Sequence, residues 1–209
     1  MSMFTLLLSL SVLAGAPADP VREPSATAVA GRSPLPSSPM PILATWQAGG
    51  PRIRAMDARV GRLLAAGLQR SSVVRDLVSR IEGRDVIVYV GLSRTLGRHG
   101  LAGSLGFVGQ AGAYRYLRAW LNPDLPHDHL VAALAHELRH VIEIIEHAEV
   151  RSEGQLVDLY RRIGRQTRGG QTSGWETDAA WQVGQDVRIE LARGAATLLA
   201  RRATTDMHP

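Results

Sequence analysis

The sequence predicts an α+β domain: a small antiparallel or mixed sheet packed on a long helix, with further helices around it. Three observations carry this. Apolar residues recur at helical spacing before residue 82 and after residue 128, a β-branched run occupies Asp85 to Gly91, and two alternating stretches between them read as a hairpin.

Taken in order, Thr5 to Leu13 is a short apolar run followed by small residues, Ala14-Gly15-Ala16 and Ala16-Pro17-Ala18, of the kind found at signal cleavage sites. Residues 1–18 therefore read as a secretion signal, and the chain is expected to be secreted or periplasmic. The run is too short to span a bilayer, which takes about 20 apolar residues, and nothing else in the chain resembles a transmembrane helix. Residues 19–51, rich in Pro, Ser, Ala and Gly, read as a disordered tether. The folded domain is expected over 52–209.

Ile53, Val60, Leu63 and Leu64 fit one face of a first helix, which Gly67 ends or bends. Ser71 or Ser72 caps a second helix carrying Val74, Leu77, Val78 and Ile81. Asp85 to Gly91 is the clearest strand. Ser104 to Val108 and Ala113 to Leu121 pair across a turn at Gly109 to Gly112. On the second of these strands Tyr114, Tyr116, Arg118 and Trp120 share one face, and Leu117, Ala119 and Leu121 the other. After Pro123 and Pro126, Asp128 caps a long helix through about His147. A helix near Ser152 to Ile163, a Gly- and Thr-rich loop at Gly164 to Ser173, and a final helix from about Gly174 to Arg202 complete the chain.

Composition narrows the chemistry. All 24 basic residues other than His are Arg, so a lysine nucleophile or Schiff base is excluded. With no Cys, a metal site must use His and carboxylates. The net charge of +5 is spread along several helices among Asp and Glu. It forms no dense stripe, and no nucleic-acid partner is expected.

The segment that carries chemistry is His136-Glu137-Leu138-Arg139-His140. Two His four residues apart lie on one helix face, about 6 Å apart, and can reach one tetrahedral ion. Glu137 projects beside the pair, where it can take a proton from a water held by the metal. The pattern arises by chance in about one chain of this length in two hundred, and it falls inside an expected helix. Leu130, Leu134, Leu138, Val141 and Ile145 form an apolar stripe opposite the His pair. The polar side is that of a cleft-lining helix or of an ordinary surface helix.

These residues and the expected layout resemble the zincin metallopeptidases, which combine a small sheet, an active-site HExxH helix and a third ligand further on. The resemblance covers residues 52–202 in layout. It implies a bound zinc ion, a peptide or protein substrate, and an edge strand, from the Ser104 to Leu121 hairpin, that receives the substrate in extended form. Glu143 and Glu146 stand where the metzincin pattern needs Gly and His, and no Met lies between Met56 and Met207, so that branch is excluded. Trp175-Glu176-Thr177-Asp178-Ala179-Ala180 resembles the ExxA segment that supplies the third ligand in gluzincins. Glu176 is then the third ligand beside His136 and His140, with Glu137 as general base. In the competing reading Ser173 and Glu176 form a capping box, and Glu176 needs no metal. The Asp that gluzincins often carry four residues after the ligand Glu is Ala180 here. Glu143 is a candidate for orienting a ligand ring. Tyr160 and Tyr116 are candidates for a hydrogen bond to an oxyanion, and both also fit half-buried core positions. Glu190, too far along the last helix to share the site, is expected to be a paired buried carboxylate.

The residues thus support a secreted zinc metalloendopeptidase. Two alternatives stay open: a non-catalytic metal-binding protein of the cell envelope with a zincin-like fold, and a basic envelope-binding module in which the His pair is incidental.

Overall fold

The computed structural model describes residues 8–9, 50–169 and 172–205. The expected signal peptide and tether lie outside them, apart from Leu8, Ser9, Gly50 and Pro51. Every element below belongs to one compact unit. In chain order the elements are β1 (Leu8–Ser9), β2 (Ile53–Ala55), α1 (Ala58–Arg70), α2 (Ser72–Ile81), β3 (Val86–Leu92), α3 (Thr95–Arg98), β4 (Gly103–Ala111), β5 (Tyr114–Leu121), α4 (His127–Glu146), α5 (Glu153–Ile163), β6 (Arg165–Gly169), β7 (Thr172–Glu176) and α6 (Asp178–Thr205). The fold is α+β, and no helix among the described residues is long and apolar enough to cross a membrane.

The main sheet is mixed, in the order β2-β3-β5-β4. β2, β3 and β5 run parallel, and β4 returns antiparallel along β5 to form an edge. β3 is central, which explains its nearly continuous apolar run: Val86, Ile87, Val88 and Val90 are all buried. The β4–β5 turn contracts to Gly112 and Ala113, made possible by Gly112 at φ +56°. A bulge lies between Phe107 and Gly109, leaving Val108 turned outward. Leu117, Ala119 and Leu121 of β5 face the core beneath α4, as the alternation predicts.

Helix α4 is the axis of the domain. From Leu130 to Ile144 only Arg139 escapes full burial. α6 packs beside it, α1 and α2 cover another side, and β4 and β5 lie beneath. The polar His-bearing side is therefore interior, and the surface-helix reading of it falls.

Several expectations need correction. Ile53 opens the short strand β2 rather than a helix, because it finds a parallel partner in Val88. Gly67 neither ends nor bends α1. It lets the helix approach its neighbours, since a Cβ there would sit 3.0 Å from Val74 and 3.3 Å from Val131. Ser71 does cap α2, accepting from the Val74 N–H at 3.1 Å. Asp128 is inside the first turn of α4, paired with Arg70 at 2.6 Å, and Pro126 holds the cap position. The Gly- and Thr-rich loop is largely a hairpin, β6–β7, to which Leu8 and Ser9 add through Trp175 and Gly174. Glu190 is half-buried rather than buried, and it forms no ion pair among the described residues. Its carboxylate accepts from the hydroxyls of Ser71 and Ser72 and from the Val73 N–H, holding the N-terminus of α2.

Candidate metal centre

Three elements bring the candidate ligands together. α4 carries His136 and His140 one turn apart, with ring centroids 4.8 Å apart and planes at 79°. β7 ends at Glu176, and its partner Arg165 opens β6 after the turn at Gly164. A Cβ at Gly164 would come within 2.9 Å of the Tyr160 carbonyl oxygen and 3.1 Å of that of Glu176, so this close return from α5 requires glycine. α6 then starts at Asp178, two residues after Glu176.

That start is not where the capping-box reading put it. Thr177 is the residue whose hydroxyl accepts from the Ala180 N–H, at 3.1 Å, while Ser173 and Glu176 are in a strand. The capping-box role of Glu176 is excluded. So is its expected position on a helical face, because Glu176 reaches the site from a strand end.

The donor atoms converge. His136 Nε2 and His140 Nε2 are 3.1 Å apart, and Glu176 Oε1 lies 3.5 Å from the first and 3.8 Å from the second. A tetrahedral zinc ion with bonds of about 2.0–2.1 Å spaces its donors about 3.3 Å apart. The other side of each ring is engaged. His140 Nδ1 meets Glu143 Oε2 at 2.8 Å, and the His136 ring hydrogen-bonds to the Ala180 backbone. The Glu143 carboxylate takes the proton of His140 Nδ1, so in the neutral ring His140 Nε2 turns its lone pair toward His136 Nε2 at 3.1 Å. The second oxygen of Glu176 has no hydrogen-bond partner among the described residues. The set fits a divalent ion held by two imidazoles and a carboxylate.

The supporting groups are specific. Glu143 accepts from His140 and from the Thr177 hydroxyl, the latter at 2.7 Å. Burial pushes its carboxyl up, but these bonds and Arg139 bring it below the ordinary value. Tyr160 is fully buried, stacked edge-on with His140 at 5.3 Å, with its hydroxyl 3.4 Å from the His140 carbonyl oxygen. Burial, and then the charges of Glu143 and Glu137, push the phenol well above its usual range. Tyr160 thus supports the helix behind His140. Tyr116 lies on the sheet face turned away from α4 and is not brought to the cluster.

Glu137 is 1% exposed, and neither of its carboxylate oxygens has a hydrogen-bond partner among the described residues. Burial first, and the charges of Glu176 and Glu143 second, raise its carboxyl well above the ordinary value. Burial likewise raises Glu176 to about 8 and drives His136 well below the usual imidazole range. Glu137 has space because β4 begins with Gly103: a Cβ there would come within 2.3 Å of Glu137 Oε1.

Sequence reasoning missed Gly103, Thr177 and Gly184. Thr177 had a readable signal as a hydroxyl three residues before Ala180 at a helix start. Gly103 is one of many glycines in its stretch, and no local feature marks it. Gly184 brings α6 against His136, whose Nδ1 would lie 3.7 Å from a Cβ there. No family model matches the chain, and no curated protein or solved structure matches it either.

Proposed function

We propose that this chain is a zinc-dependent metallopeptidase of zincin type, exported through the apolar segment at residues 5–13. The observation that carries the reading is the pairing of two features. Two imidazole Nε2 atoms and a carboxylate oxygen converge within 3.8 Å, and a buried carboxyl with no hydrogen-bond partner among the described residues follows the first imidazole directly in sequence.

His136, His140 and Glu176 would hold the ion. Bound zinc supplies Lewis acidity, polarising a carbonyl and acidifying a water. Glu143 and the Ala180 backbone fix the two rings so that their inner nitrogens stay bare. Glu137, whose carboxyl burial raises above its ordinary value, would take a proton from the attacking water and pass it to the leaving amine. A site that served structure alone would gain nothing from such a group and would be more stable with an apolar residue there. β4 is an edge strand whose first residue packs against Glu137, which supports reception of an extended peptide along it.

Glu137→Gln tests the mechanism. The variant is expected to retain one zinc ion per chain by elemental analysis. It is also expected to lose cleavage of an unstructured protein such as casein by roughly 1000-fold or more, the upper range for removing a general base being large where it also serves as acid. Full activity in this variant, or wild-type protein without stoichiometric zinc, would refute the reading. Zinc binding with no turnover on broad peptide mixtures would favour the non-catalytic alternative.

A further inference from the structure

A small cleft opens between α4 and α6 beside His136. It exists because small residues face each other there: Ala132 and Ala133 on α4, and Gly184 on α6. His136 stands at one end. Arg188 stands at the other, one turn beyond Gly184 and so about 6 Å further along the helix axis. Trp181, 44% exposed, forms part of the wall.

Arg188 differs from the arginines that knit the fold. Arg70, Arg80, Arg115 and Arg151 each lie within 4 Å of a carboxylate. Arg188 contacts His129 Nε2 at 3.5 Å, and no carboxylate of the described residues is within ion-pairing distance of it. Its guanidinium therefore faces a cleft with largely apolar walls and carries donors fit for a planar anion. One guanidinium matches the charge and fork geometry of a single carboxylate, whereas phosphate sites usually gather several cations.

We propose that this cleft is a specificity pocket for a substrate carboxylate next to the bond that is cut. Arg188 would pair the anion, and the alanine and tryptophan surfaces would cover its methylene stem. The carboxylate belongs to an Asp or Glu side chain or to the chain end. This deepens the peptidase reading and rests on it for the chemistry, though not for the binding.

The test uses zinc-loaded full chain and quenched peptides of one sequence. Glu, Gln or Lys is placed in turn at the two positions flanking the scissile bond, each peptide as free acid and as C-terminal amide. Wild type is expected to favour Glu over Gln by roughly 10- to 100-fold in kcat/KM, the range for a charge-assisted hydrogen bond. Arg188→Gln should reduce that preference to within about 3-fold, and Arg188→Lys should leave an intermediate value. A preference that follows the free acid assigns the carboxylate to the chain end, and one that survives amidation assigns it to a side chain. In parallel, calorimetry measures binding of the Glu and Gln peptides to Glu137→Gln protein with and without Arg188→Gln. Tighter binding of the Glu peptide that depends on Arg188, without any hydrolysis by wild type, would sustain the pocket while the peptidase reading fails. Hydrolysis with no discrimination between Glu and Gln, or a preference unchanged in folded Arg188→Gln and Arg188→Lys, would overturn the pocket and leave the peptidase reading intact.

Discussion

Glu137 occupies a position that folding alone would not select. Its carboxyl is buried, lacks a hydrogen-bond partner among the described residues, and lies near two other acidic groups. An apolar residue of similar size would cost less there. The space it uses depends on Gly103, whose position on β4 leaves no room for a methyl group beside Oε1. Gly103→Ala is therefore expected to displace the Glu137 carboxylate by rotation of its flexible stem, lowering peptide hydrolysis by roughly 100-fold while zinc content stays at one per chain. A variant as active as wild type would show that the position of this carboxylate is not critical. At this scale the sequence was half legible. The His-Glu-His spacing is local chemistry on one helix and can be read from five residues. Gly103 acquires meaning only through a contact 34 residues distant (137 − 103), which no local pattern records.

Elements explain how the site is held. α4 has no basic residue in its last turn, yet its C-terminus is not left unsatisfied. Arg115 of β5, fully buried, donates to the carbonyl oxygens of Ile144 at 2.7 Å and His147 at 3.0 Å, and to Asp85 Oδ1 at 2.7 Å. The same guanidinium thus ties the sheet to the end of the helix that bears His136 and His140, where a cation also complements the helix dipole. Arg115→Met should destabilise the fold by about 3 kcal/mol, because it strands carbonyls and a carboxylate that lose their donor. The thermal midpoint should fall by roughly 6–12 °C, read by calorimetry on the metal-free protein. A change of a degree or less would remove the cap from the account. The alternation of β5 was legible, but it placed an arginine among inward residues, and only a partner from elsewhere in the fold makes that placement affordable. The β6–β7 hairpin was hidden for a related reason: strand pairing is non-local, and Gly and Thr in its sequence look like loop. Glu176 was identified while its element was mistaken, since two capping hydroxyls, Ser173 and Thr177, compete in sequence for one helix start.

At the scale of the whole molecule, proton binding and the proposed metal binding would be linked to folding. Glu176 has its carboxyl raised to about 8 in the folded chain, against an ordinary value of 4.5. Between those values the folded state keeps a proton that the unfolded chain releases. The stability Glu176 contributes is therefore full below about pH 4.5 and is lost as pH rises through 8. The proposed metal binding needs the deprotonated carboxylate and neutral imidazoles, so a bound ion would stabilise more as pH rises. The gap in melting temperature between zinc-loaded and chelated protein is expected to widen by roughly several degrees from pH 6 to pH 8. A gap that stays constant or narrows would exclude this linkage. The α+β class and the order of the larger helices were readable because helical periodicity is local. The layering of α4 at the centre was not, since its apolar stripe describes one side and its other side is buried by α6 and β4 through contacts the stripe does not encode.

That burial also has a meaning in time. His136 is 1% exposed, His140 is fully buried and Glu176 is 2% exposed, so a chelator, like a substrate, would reach the candidate ligands only when the fold opens locally. An ion held there would then leave at the pace of a local opening along the cleft that Trp181 borders. Metal loss should then be a first-order process whose rate stops rising once chelator is in excess, set by opening on the slow scale of local unfolding. Trp181→Ala, which trims the mouth, should raise that ceiling, and a rate that keeps climbing with chelator concentration would mean a standing channel to the site.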